Sequence, residues 1–168
     1  MAAATVDPFE IFVDACAFWK TAALAGRIEY GLHYKIPMLV LEVFSLELHL
    51  KCLHALRGNR KWGHDIGELF SDLPDGEQAA IAAKFQQQCA GRSEFASLTL
   101  AAVLDRSKEL FEKARYRFEG EEWNPDASGE RGNRGFDRLI RSIHDVIEEQ
   151  QPDWHDRYQT RMGTPGAP

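Results

Sequence analysis

The segment from Ile36 to Leu56 constrains this chain more than any other. Leu39, Val43, Leu46, Leu50 and Leu53 recur at helical spacing and make one apolar stripe, while Leu41, Phe44 and Leu48 place a second apolar surface on the opposite side. A helix apolar on more than one face has to be enclosed. Leaving either stripe in water would forfeit about 1.5–3 kcal/mol for each large side chain. Such a helix belongs at the centre of a bundle. Glu42, Glu47, His49, Lys51 and His54 interrupt the run, and ionisable groups at that density are too costly for a bilayer span.

The flanking segments supply helices to surround it. Asp7-Pro8-Phe9-Glu10 is a helix start, with Asp as cap, Pro at the first helical position and Glu three residues after the cap. Phe9, Phe12, Val13, Cys16 and Leu24 follow at helical spacing as far as Gly26, a stop signal. Pro37 is expected to open the central helix and Gly58 to end it. Asp65 to Glu68 repeats the capping spacing before a short helix, and another helix is expected from Asp75 or Gly76 to Gly91. A long helix is expected over Ser97 to Phe118, and Phe136, Leu139, Ile140, Ile143 and Ile147 stripe the last one. Nothing alternates with period two, so no strand is expected. The fold class is all-α: a single-domain helical bundle of about five helices over residues 1–151, with an irregular loop at about 120–135 and a flexible tail over 152–168.

Charge and cysteine usage narrow the function classes. A formal net charge of −6 disfavours a purely electrostatic nucleic-acid binder, so a polyanion would have to meet a local basic patch. Cys16, Cys52 and Cys89 lie in helical segments without close pairing, as expected of reduced, buried thiols in a cytoplasmic protein. The first ten residues lack the basic and apolar regions of a signal peptide. No His-Glu-x-x-His, cysteine cluster or glycine-rich phosphate loop after a strand is present, so neither a metal nor a cofactor is expected.

The stretch RGNRKWGH, Arg57 to His64, concentrates cations, a Trp and glycines where the central helix ends. Arg60 and Lys61 with Trp62 could hold a phosphate and stack on a base. They could equally be a solvated connection, with Arg57 serving the helix dipole and Trp62 plugging the bundle end.

The order of features resembles the HEPN superfamily of small helical domains. The residues that carry the resemblance are Glu47 and Lys51 on the central helix, His64 and Asp65 at the start of the next, and Arg115 and Tyr116 near the end of the long one, within Phe44 to Glu119. Glu47 and Lys51, four apart, are expected to form a half-buried structural ion pair. The resemblance implies binding of RNA or a nucleotide and, further, a metal-independent ribonuclease of a defence or toxin–antitoxin system. In that chemistry a His takes the ribose hydroxyl proton and an Arg stabilises charge at phosphorus.

Arg and His recur at the family's spacing as Arg27 with His33, Arg57 with His64, and Arg138 with His144. Arg57 and His64 are the preferred catalytic candidates, because a glycine-flanked turn can bring them together. Arg138 and His144 point about 120° apart on an uninterrupted helix, and His144 reads better as a boundary residue paired to an acid. Arg60, Lys61, Trp62, Arg115 and Tyr116 are the candidate substrate-binding residues. The alternative is a non-catalytic interaction domain that forms a homodimer or docks on a nucleotidyltransferase or other protein partner. A core-only relic of the fold with its own small-molecule pocket is the third reading.

Overall fold

Asp7 accepts a hydrogen bond from the Phe9 amide at 2.9 Å and, with Pro8 at the first helical position, starts helix α1, Pro8–Ala25. The structure is a computed structural model that describes residues 6–27, 32–116 and 130–163, with side chains over 6–27, 37–108 and 135–163. Helix α2, Leu32–Leu56, follows, then α3, Ile66–Ser71, and α4, Asp75–Cys89. A 3-10 turn, Ser93–Phe95, leads to α5, Leu100–Tyr116, then α6, Glu130–Gln150, and α7, Trp154–Met162. The described residues contain no strand.

Helix α2 is the hub. α1 packs along it, α3, α5 and α6 also touch it, and α4 packs on α6. Leu39, Val43, Leu46, Leu50 and Leu53 are buried against Phe136, Leu139, Ile140, Ile143 and Ile147, so the two predicted stripes form the core. The opposite face of α2 is half-buried: Phe44 meets the Phe18 ring edge-on at 4.7 Å, and Leu41 and Leu48 keep partial exposure. More unexpected is what else α2 buries. Glu42, Ser45, Glu47, His49 and His54 are all within the interior.

Several boundaries differ from expectation. Helix α2 begins before Pro37, which lies inside it and is exposed, so water can serve the carbonyl that the missing N–H leaves. Helix α5 starts at Leu100, because the Thr99 hydroxyl accepts from the Ala102 amide at 3.1 Å and caps it there. Residues 130–135, expected as loop, belong to α6. Gly135 signals close approach here: a Cβ on it would lie 2.7 Å from Val103 Cγ2 on α5.

The flexible tail expected from 152 is instead helical over Trp154–Met162. Its Trp154 is buried edge-on to Phe9 at 5.3 Å and tilted against Phe12 at 5.3 Å. Tyr158 is buried beside it, Arg157 lies 3.9 Å above the Phe9 ring, and Arg161 pairs with Glu10. Docking on α1 holds a helix too short to persist alone.

Trp154→Ala is expected to lower stability by about 3–5 kcal/mol in guanidinium unfolding, as for a large buried aromatic. Trp62→Ala, at an exposed ring, is expected to stay within about 0.5 kcal/mol of the native chain.

Candidate functional site

Where α2 ends, Gly58 and Gly63 adopt φ of 73° and 97°, a region that disfavours side chains, and this frees the chain to turn out of the bundle. Trp62, 74% exposed, stands on that turn with the Arg60 guanidinium 4.1 Å from its ring centre. Lys61 Nζ is braced on Asp72 Oδ2 at 2.6 Å. Between this turn, the start of α1 and the last turns of α2 lies a groove of about 420 Å³. Val6, Ile11, Leu48, Ala55 and Trp62 make it apolar, and Lys51, Arg60 and Lys61 line it with positive charge.

Lys51 belongs to a second feature beside the groove. Its Nζ lies 2.7 Å from Glu47 Oε1, as the spacing predicts, and His64 Nδ1 lies 3.0 Å from both Glu47 oxygens. The Glu47 side chain is 1% exposed, whereas the ring of His64 is 57% exposed. A buried carboxylate thus holds a solvent-facing imidazole by Nδ1, the arrangement that orients the ring and leaves Nε2 outward. Asp65, next in the chain, caps α3 through the Gly67 and Glu68 amides at 2.9 and 3.2 Å. Its hydrogen bond from Lys108, together with those amides, holds its carboxyl below the usual range.

Arg57 and His64 are each engaged by a different acid. Arg57 Nη2 is bound 2.5 Å from Glu77 Oε1 on α4, and that oxygen also accepts from Gln150 Nε2 at 2.8 Å. His64 is held at Glu47, ten positions before Arg57 in the chain. Arg138 and His144 also part: Arg138 faces the Phe95 ring at 5.3 Å, while His144 Nε2 lies 3.2 Å from Glu148 Oε1. The acid-paired boundary histidine expected at 144 is therefore what forms. Arg115 and Tyr116 close α5, and their side chains, like that of His33, lie outside the described residues.

One assembly had no signal in the spacing of motifs. Cys16 of α1, His49 of α2 and His144 of α6 converge, with one ring nitrogen or sulfur of each within 4.8 Å of the others. Cys16 Sγ lies 3.7 Å and His49 Nε2 lies 3.4 Å from His144 Nδ1. Burial pushes the Cys16 thiol up to about 12 and His49 down to about 3, and burial likewise lowers His144 against the opposing pull of Glu148. These are the donors among the described residues that could hold a metal, where none was expected.

Glu42 is the other electrostatic anomaly. Its Oε2 is buried and has no hydrogen-bond partner among the described residues, and burial, reinforced by Asp137, raises its carboxyl to about 8. Asp137 is itself taken up by Trp19 Nε1 at 3.0 Å and Arg141 Nε at 3.2 Å. The folded state therefore keeps a proton on Glu42 that the unfolded chain releases near its ordinary value of 4.5, so stability falls as pH rises from there through about 8. Gln imitates the protonated acid. Urea unfolding of Glu42→Gln should match the native chain near pH 5 and exceed it by more than about 1 kcal/mol at pH 8 to 9.

Compared with protein-family models, curated proteins and solved structures, the chain gives no match.

Proposed function

We propose that this chain is a HEPN-like domain that binds single-stranded RNA or a nucleotide in the groove beside Trp62. The observation that carries this is the exposed Trp62 ring, with Arg60 stacked 4.1 Å away, at the mouth of an apolar groove lined by Lys51 and Lys61. A base stacked on an aromatic ring gains about 1–3 kcal/mol, and each displaced counterion adds a salt-dependent increment. With a net charge of −6, binding would be confined to this patch and strongly salt-sensitive.

The meeting of Lys51 and His64 at the Glu47 carboxylate supports the HEPN-like assignment, as does the Asp65 cap that follows. If the bound RNA is cut, His64, oriented by Glu47, is the group placed to take a proton. Arg57, engaged by Glu77, instead ties the end of α2 to α4. The described helices include none long and apolar enough to cross a membrane.

Fluorescence anisotropy with labelled oligouridylate and oligoadenylate at low salt tests the binding. Trp62→Ala combined with Arg60→Ala is expected to weaken it at least about tenfold, as loss of one stacking contact requires. His64→Ala should leave affinity nearly unchanged and remove any cleavage of the oligonucleotide. Absence of binding at low salt, or equal affinity in the double variant, contradicts the proposal. Salt-insensitive capture of a protein partner in the same groove would favour the interaction-domain alternative.

A further inference from the structure

We propose that Cys16, His49 and His144 form a binding site for a thiophilic transition-metal ion of the zinc class. The site is separate from the groove and stands independently of the RNA reading.

Two of the three donor separations already suit an ion, and the third, between Cys16 and His49, lies within 4.8 Å and closes with a small side-chain shift. Zinc binds imidazole nitrogen at about 2.0–2.1 Å and thiolate at about 2.3 Å with tetrahedral angles, which sets nitrogen–nitrogen separations of about 3.4 Å and nitrogen–sulfur separations of about 3.6 Å. The corresponding distances here are 3.4 Å for His49 to His144 and 3.7 Å for Cys16 to His144.

The outer contacts decide which nitrogens face inward. His49 Nδ1 lies 2.8 Å from the Ser45 carbonyl, an acceptor only, so Nδ1 carries the proton and Nε2 a lone pair. The Ser45 hydroxyl does not reverse this, because its proton goes to the Ala15 carbonyl at 2.9 Å. His144 Nε2 faces the Glu148 carboxylate at 3.2 Å, so Nε2 donates and Nδ1 carries the lone pair. In the neutral tautomers, two buried lone pairs then confront each other at 3.4 Å. The Cys16 thiol has a single proton and can serve only one of them. A cation between the rings satisfies both nitrogens and the sulfur together.

The surroundings complete the resemblance to a metal cradle. A backbone carbonyl behind His49 and a carboxylate behind His144 are the orienting contacts that metal-bound histidines characteristically make. Phe12 stacks on His144 at 5.2 Å and Trp19 meets it edge-on at 5.4 Å, a shell that covers most of the ring and leaves its edge within reach of solvent. A divalent ion with one thiolate leaves a single positive charge, which Glu148 offsets. Glu148 also accepts from His155 Nδ1 at 2.9 Å. On binding, the Cys16 S–H bond breaks, its proton passes to solvent, and the sulfur electron pair bonds the metal. The fourth coordination position falls to water or a small anion, since the described residues offer no further donor in the cluster.

The test is a Co²⁺ titration of the full chain after chelator treatment and dialysis under reducing conditions. One equivalent should bind with a near-ultraviolet thiolate-to-cobalt charge-transfer band that Zn²⁺ abolishes by displacement. Cys16→Ser should lose that band. Glu148→Gln, on the outer and half-buried side of His144, preserves the three donors and should weaken Co²⁺ affinity about 10–100-fold. The proposal is overturned if the folded native chain shows no charge-transfer band, which would leave a proton-only network. It is equally overturned if the band persists in Cys16→Ser, which would assign it to Cys52 or Cys89.

Discussion

A helix enclosed by its neighbours must find a partner for every polar group it takes inside, and α2 takes in five polar side chains. Each is answered differently. Ser45 donates to the Ala15 carbonyl of α1, and His54 Nε2 donates to the Leu69 carbonyl of α3 at 2.9 Å. Glu47 reaches Lys51 on its own helix and His64 on the following turn. His49 faces Cys16 and His144, and Glu42 resolves its burial by keeping a proton. The apolar stripes enclose α2, and these contacts fix which neighbour lies on which side and at what rotation. Apolar burial alone is non-directional and would tolerate several such arrangements.

The same constraint places the chemistry. Of the polar groups near the end of α2, Glu47 holds His64 at the surface, and Lys51, paired with Glu47, lines the groove beside Trp62. Those that it shares with α1 and α6 make an interior cluster of nitrogen and sulfur donors. One helix therefore supports an outward-facing, cationic and aromatic surface, and an inward-facing, nearly dry one. Arg57, which by position could have served the first, is spent on Glu77 to hold α4 in place.

Much of this is legible in the residues. The stripes of α2 and α6 are periodic and rich enough to identify the core, and Asp7 and Asp65 mark their helix starts because capping depends on a few adjacent residues. The Glu47–Lys51 pair is likewise set by spacing within one helix. What depends on helix-to-helix rotation is not legible. Cys16, His49 and His144 sit on separate helices, and no local pattern fixes which faces converge. His49 gave a faint signal as a titratable group inside the most apolar segment. Helix α7 has little local signal, because Trp154 and Tyr158 are its only large aromatic anchors and its stability comes from Phe9 and Phe12 far away in the chain. The start of α2 is not legible either, because Pro37 is an ordinary first-turn residue and only an occasional interior one.

Native-state hydrogen exchange resolved along the backbone tests the enclosure of α2 most directly. Amides from Leu39 to Leu53 should exchange only through global unfolding and be the slowest in the chain, with those of α3 and α7 opening at lower free energy. Exchange across Leu39 to Leu53 as fast as in α7 would mean that α2 is a peripheral helix, and the arrangement described around it would be wrong.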